Sequence, residues 1–437
     1  MLTVVNKSHG LHFCFVTLLL FNLLACRKES DREIPIILVN KPLAGTAYQV
    51  GDSIHILAVF SDNKDLKSLQ VVLTDMEDRP VLPPIYIEIP GNPFTLDALY
   101  PINDSLLASG EYNLHFQASD GINVANAFVK IQITSIQRAF LYPIAITGKG
   151  LNTITALALD SGIKWNNIYS LPADYGGSAI DSRYGHLFLS GTYQSDVVAL
   201  NVKNHKIDWR IPVQQLSVNH WFESISEVNS QLLVSYYEGY VKTFDHAGTP
   251  LYTSEVLQNY YPKNATFFNN RLVTCLNQVS NTKHSLAFYA MPGGLMVLSL
   301  SPTPEIVKMF PVDSKHLIAF GNQDGKAVIY IYLDYNETFS MLKEIADDSI
   351  VCVAAIDRQN YVFSTKSRLY WYNFPNNSMI EFKSGVDMAH LAYEDIGEIV
   401  YAASGHEIYL YSYPEGILKE TYSLGDPILD IQLLYNK

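Results

Sequence analysis

Seven short turns recur along the last 300 or so residues, and this repeat restricts the fold more than any other feature of the chain. They are Asp160-Ser161-Gly162, Lys203-Asn204-His205, His246-Ala247-Gly248, Pro292-Gly293-Gly294, Asp334-Tyr335-Asn336, Pro375-Asn376-Asn377 and Pro414-Glu415-Gly416. Their spacing, roughly 39 to 46 residues, is the length of one four-stranded propeller blade. An alternating apolar strand precedes each turn, as in Thr155-Ala156-Leu157-Ala158-Leu159 and Val328-Ile329-Tyr330-Ile331-Tyr332. Upstream comes a second strand, such as His186-Leu187-Phe188-Leu189-Ser190. Before it lies an inner strand of small residues, such as Val351-Cys352-Val353-Ala354-Ala355 or Met388-Ala389-His390-Leu391-Ala392. Strands crowded around a central channel need small side chains. Helical periodicity is sustained nowhere, so the chain reads as all-β.

The two ends of the repeat complement each other. Ala139-Phe140-Leu141-Tyr142 reads as a second strand with no inner strand in front of it, and Pro427 to Leu434 as an inner strand with nothing after it. Placing the tail in the first blade completes a seven-bladed β-propeller over residues 137–437 and leaves no unpaired edge.

Residues 34–136 show the period-two spacing of strands buried on one face. Ile54, Ile56, Ala58 and Phe60 alternate with Ser53, His55, Leu57 and Val59, and Tyr112, Leu114, Phe116 and Ala118 share a second face. About seven short strands in some 100 residues suit a two-sheet sandwich. Gly110-Glu111-Tyr112 resembles the tyrosine corner of immunoglobulin-like domains, and the segment is similar to bacterial Ig-like, fibronectin III-like or cadherin-like modules. It lacks the Cys and Trp of antibody domains, so the resemblance is one of architecture. Asp62, Asn63 and Asp65 can meet Asp120 at one end, a set of oxygen ligands that suits calcium. Turn formation explains the same residues without a metal, because Asp and Asn side chains bond to nearby backbone; no metal site is assigned.

At the N-terminus, Lys7 and His9 precede an apolar stretch from Leu11 to Phe21, then Leu23-Leu24-Ala25-Cys26. Roughly 15 apolar positions are too few to span a bilayer, which needs about 20. Residues 1–25 resemble a bacterial lipoprotein signal peptide, and the resemblance implies acylation at Cys26 and attachment to a membrane. Residues 26–33 form a charged tether. Within it, Lys28, Glu29 and Asp31 resemble the signal that sends Bacteroidetes-type lipoproteins to the cell surface, which implies an outer-membrane address; the periplasmic face is the other option. The net charge of −13 excludes nucleic acid as a natural partner, since that demands clustered Lys and Arg. Beyond Cys14 and Cys26 only Cys275 and Cys352 remain, in strands of different blades, so neither a disulfide nor a thiolate metal site is expected.

Ala156 to Trp165, and Val198 to Trp209, resemble the WD40-like repeats of the quinoprotein (PQQ) dehydrogenase superfamily and of the outer-membrane assembly lipoprotein that shares them. The resemblance implies that Trp165 and Trp209 dock between neighbouring blades. The catalytic Asp, calcium site and vicinal cysteines of those enzymes cannot be placed here, and no hydrolase, nucleotide or metalloprotease motif occurs; no cofactor and no catalytic residue is assigned. Function is sought instead on the face where loops enter the inner strands and join second to third strands. That face is expected to gather Tyr175, Tyr193, His220, Trp221, Tyr236, Tyr237, Tyr260, Tyr261, Arg368 and His406. Aromatic planes among polar groups suit a glycan or a protein partner. The alternatives are a periplasm-facing assembly scaffold and a hydrolase or lyase at the channel mouth, the latter requiring a converging His and carboxylate.

Overall fold

The computed structural model describes residues 31–148, 153–160, 164–214, 219–345 and 348–437. The signal segment, Cys26 and most of the tether lie outside the described residues. Every regular element described is a strand, and none of the described residues forms a helix long and apolar enough to cross a membrane. The chain divides into two units, residues 1–137 and 138–437.

Among the described residues the first unit contains two sheets. One joins Ile36–Lys41, Ser53–Ser61 and Phe94–Pro101; the other is built on Gly110–Ser119, flanked by Val124–Thr134 and Ser68–Thr74, with short edge strands Ala47–Gln49 and Ile85–Ile87. Alternation decides what each strand buries: Ile54, Ile56, Ala58 and Phe60 enter one shared core with Leu114, Phe116, Ala118, Ile131 and Ile133. Tyr112 anchors its strand by donating its hydroxyl to the Ala108 carbonyl at 2.8 Å.

Two expectations for this unit need correction. The described end of the tether is docked, because the Asp31 carboxylate is buried, accepts from Asn63 Nδ2 at 3.2 Å and pairs with Lys64 Nζ at 3.1 Å. The acidic group is also differently composed: Asp31 joins Asp62 and Asp120, with ligand atoms within 4.8 Å of one another. Asp65 is turned to solvent beside Lys67 instead. The Lys64 ammonium supplies positive charge to this cluster.

Among the described residues the second unit holds seven four-stranded antiparallel sheets. Their first strands are Gly177–Asp181, Phe222–Val228, Tyr260–Phe268, Glu305–Pro311, Ile350–Ala355, His390–Glu394 and Ile428–Tyr435. Each touches the next, and Ile428–Tyr435 touches both His390–Glu394 and Gly177–Asp181, so they form a ring. Ile428–Tyr435 belongs to the sheet of Phe140–Gly148, with Gln432 opposite Ile144 and Tyr435 opposite Phe140. Second strands are covered on both faces by neighbouring sheets and therefore read as continuous apolar runs, as in Leu317-Ile318-Ala319-Phe320. Outer strands are covered on one face and alternate, as in Lys206–Ile211.

Aromatic side chains fill the wedges between sheets. Trp209 donates its indole N–H to the His246 carbonyl of the next sheet at 2.8 Å and packs against Phe244 and Phe188. Trp165 meets Tyr422 edge-on, and Trp371 stacks on Phe382 while meeting Tyr413 of the following sheet. The ring ends are fastened by Arg138, which forks onto Asp395 at 2.6 and 2.9 Å and lies 3.7 Å from the centre of the Tyr435 ring.

Candidate functional site

Antiparallel sheets place the loops entering the first strands and the turns between second and third strands at one end of the ring. Two groups of side chains gather there: an aromatic rim, and a polar lining just inside the channel.

The rim is organised by Asp174. Its carboxylate accepts the backbone N–H groups of Thr192 at 2.9 Å, Tyr193 at 2.6 Å and Gln194 at 3.4 Å. Burial pushes the Asp174 pKa up, but these bonds and that from Ser195 outweigh it and hold the carboxyl below its usual range. The loop lies so close that a Cβ at Gly191 would sit 2.5 Å from Ser195, and one at Gly176 would sit 2.5 Å from the Gly191 carbonyl oxygen. Tyr193, 39% exposed, therefore stands in a fixed place. The His220 ring meets it edge-on at 4.4 Å, and Tyr237 lies 6.2 Å from His220 and stacks on Tyr261 at 5.3 Å. His220 Nε2 contacts the Tyr193 hydroxyl, and Nδ1 lies 2.8 Å from Glu223 Oε1. Burial raises the Glu223 pKa against the opposing pull of His220 and Lys263. Tyr193, His220 and Glu223 thus form a continuous hydrogen-bonded chain from the surface inward.

Not every residue expected on this face reaches it. Trp221 and Tyr236 are only 8% and 4% exposed, because both rings fill the wedge around Phe222 and Phe188. Tyr236 ends a second strand, where both faces are covered, so polarity at its tip did not bring it to water. Tyr260 packs against the core around Leu233 and Leu276. Arg368 is held on its own sheet by Glu381 at 3.6 Å and donates to the Tyr370 hydroxyl at 3.3 Å. His406 is exposed in the turn after Ile399–Ser404. Among the described residues, neither Arg368 nor His406 shares a ring contact or hydrogen bond with the rim cluster.

Tyr175 turns inward and leads to a site that sequence reasoning missed. A cavity of about 480 Å³ opens in the channel, lined by Ser178, Asn264, Lys308, Cys352, His390 and Asp430 at its polar level. Asp430 Oδ2 accepts from Ser178 Oγ at 2.6 Å, Gln432 Nε2 at 2.9 Å and Tyr175 Oη at 3.3 Å, and Oδ1 accepts the Ile431 N–H at 2.8 Å. His390 Nδ1 stands 3.8 Å from Oδ1. Burial pushes the Tyr175 phenol far up, and the Asp430 charge adds to it. The imidazole of His390 and the ammonium of Lys308, the latter open to the channel, are both pushed down by the protein packed around them, with Asp430 opposing in each case. Burial raises the Cys352 thiol to about 12, so it stays protonated at neutral pH and is no nucleophile. The signal for this site was present as alternation near the start of inner strands, in pairs such as Lys308 and Phe310, His390 and Ala392, and Asp430 and Gln432. It becomes visible only once seven strands are laid side by side.

No protein-family model matches the chain, and no curated protein matches it in sequence. Among solved structures, a protein from Lactobacillus plantarum superposes with a TM-score of 0.51 at 11% identity, covering 68% of this chain and 100% of that one. A quinonprotein alcohol dehydrogenase-like protein from Bacteroides thetaiotaomicron covers 92% of this chain and 99% of its own, at 12% identity and a TM-score of 0.46. The WD40 β-propeller domain of Doa1 covers 61% and 94%, at 14% identity and a TM-score of 0.45. The likeness is one of fold alone. By its own sheet arrangement the second unit is a β-propeller.

Proposed function

We propose that this chain is a lipid-anchored binding protein of the cell envelope, whose propeller captures a glycan at the loop face. In this reading the first unit is an Ig-like sandwich carrying a seven-bladed propeller closed by its C-terminal strand, with Cys26 acylated and the protein displayed on the outer membrane. The observation that carries it is the rim of Tyr193, His220, Tyr237 and Tyr261, fixed by Asp174 and Glu223 above a polar channel. Tyrosine planes present apolar area to a sugar face and keep a hydroxyl for its rim, and a site whose side chains are already fixed loses little entropy on binding. The test is a glycan array with the wild-type chain and the double variant Tyr237→Ala/Tyr261→Ala. Capture is expected to fall at least tenfold in the variant with unchanged thermal unfolding. Equal capture by both proteins removes the rim from the binding site. Protease treatment of intact cells tests the address, since a chain facing the periplasm would be spared and would act as an assembly scaffold.

One observation favours a second reading, a propeller enzyme. A histidine backed by a carboxylate can move a proton at a phenol, as the Tyr193, His220 and Glu223 chain is arranged to do. Recovery of every captured glycan unchanged after long incubation would end that reading.

A further inference from the structure

We propose that the channel mouth holds the carboxylate of an acidic sugar unit, with Lys308 as its cation. This inference rests on the glycan reading above and narrows it to a chemical class.

The cavity of about 480 Å³ lies within the range of small-ligand pockets, roughly 300 to 1,000 Å³. Its charge is unevenly committed. Asp430 Oδ2 already accepts from Ser178, Gln432 and Tyr175, and Oδ1 accepts the Ile431 amide and faces His390 Nδ1 at 3.8 Å, so most of its acceptor capacity is used within the protein. Lys308, by contrast, has no hydrogen bond or ion pair among the described residues; its side chain is open to the channel and feels the Asp430 charge. The site therefore presents an ammonium that no protein group among the described residues pairs with, free to meet an anion that enters the channel.

The rest of the lining limits which anion. Among the described residues that line the cavity Lys308 is the one ammonium or guanidinium, and burial pushes the His390 imidazole down from a usual value already near neutrality. One positive charge matches one carboxylate. Around it, the His390 imidazole and the Asn264 amide, whose Nδ2 also donates to the Ile306 carbonyl at 2.8 Å, are groups of the kind that meet sugar hydroxyls. The loop bearing Tyr193 is bonded to the Tyr175 carbonyl through Thr192 Oγ1 at 3.2 Å, and the Tyr175 hydroxyl reaches Asp430. Rim and channel are thus joined by one short stretch of chain. A uronic acid at the end of a glycan would place its carboxylate on Lys308 and its neighbouring sugar at the rim.

Calorimetric titration of the whole chain in detergent micelles, with D-glucuronate and D-galacturonate beside glucose and galactose, tests this. A saturable site is expected for a uronate, at least tenfold tighter than for its neutral parent. Lys308→Met should abolish that preference, and Lys308→Arg should keep part of it. Lys308→Met removes an ammonium that bonds to nothing among the described residues, so its melting temperature should be equal or higher. If that variant fails to fold, protection of Lys308 in the wild-type chain from acetylation reads the same contact: glucuronate should slow labelling several-fold more than glucose does. Equal affinity for acidic and neutral sugars, a preference that survives Lys308→Met, or labelling slowed equally by both sugars overturns the proposal. If neutral oligosaccharides bind and Tyr237→Ala/Tyr261→Ala loses them, the glycan reading stands without the acidic assignment. Binding of no saccharide at all overturns both.

Discussion

At the scale of single residues, the second unit contains ionisable groups whose surroundings oppose their usual charge, and Glu227 is the sharpest case. Burial raises its pKa from 4.5 to about 7, the nearby Asp181 carboxylate adds to the rise, and the hydrogen bond from the Ser230 N–H opposes it. Because the folded pKa lies above the unfolded one, the stability this group contributes is fully present below about pH 4.5 and is lost as pH rises towards 7. At about 1.4 kcal/mol per unit the loss is at most about 3 kcal/mol. Glu227→Gln keeps an acceptor for Ser230 and carries no charge, so its urea midpoint should exceed the wild type's at pH 8 and differ little from it at pH 4. Parallel profiles for the two proteins between these pH values would contradict the assignment. None of this was legible in the sequence, where Glu227 is one carboxylate among many. The same limit explains Trp221 and Tyr236: residue type shows that a tyrosine or tryptophan has a polar tip, but the covering of both faces of a second strand is a property of neighbours about 40 residues away.

At the scale of elements, much more could be read, because strand periodicity and turn chemistry are local. Asp334-Tyr335-Asn336 lies between Lys326–Leu333 and Thr338–Ile345, and His246-Ala247-Gly248 between Tyr240–Phe244 and Pro250–Thr253. What the local pattern does not reveal is that some turns also receive a neighbour. Gly248 has φ +80°, and a Cβ there would lie 2.7 Å from Cδ2 of Trp209 in the preceding sheet. Gly416, with φ +68°, stands in the same relation to Phe382, at 2.6 Å. A glycine in these turns is therefore required twice, once by its backbone and once by the ring against it. Gly248→Ala should cost about 2 to 4 kcal/mol, combining left-handed strain of about 1 to 2 with overpacking of at least 1. Gly405→Ala is the control: its φ is +57° and no atom lies within 4 Å of the added Cβ, so only the backbone part, about 1 to 2 kcal/mol, remains. Equal losses in the two variants, measured by chemical denaturation, would show that the tryptophan moves aside freely. The channel lining belongs to the same lesson, since Ser178, Lys308, His390 and Asp430 sit on different first strands and share a level only through the ring.

At the scale of the whole molecule, closure of the second unit depends on the last strand. Ile428–Tyr435 pairs with Phe140–Gly148 and buries Ile428, Ile431, Leu433, Leu434 and Tyr435. At about 1.5 to 3 kcal/mol for each large apolar side chain removed from water, their burial is worth on the order of 10 kcal/mol, comparable to the entire stability of an ordinary domain, about 5 to 15. The strand also ties the two ends of the ring together through polar contacts: Asp430 to Ser178, the Tyr435 N–H to Ser182 Oγ at 3.0 Å, and Asn436 to both polar groups of the Ala139 backbone. Removing residues 427–437 would therefore strip one edge of Phe140–Gly148, leave Ser178 and Tyr175 without Asp430, and expose Ile144 and Ile146 beside a chain that cannot repair the gap. The truncated protein should be insoluble, or should unfold at least 15 °C below the full chain. A separate peptide of residues 427–437 should restore part of the lost stability in proportion to its concentration, as any ligand of the folded state does. A truncated chain that melts at the same temperature as the intact one, with the peptide making no difference, would mean that the first and last sheets hold each other without the strand between them.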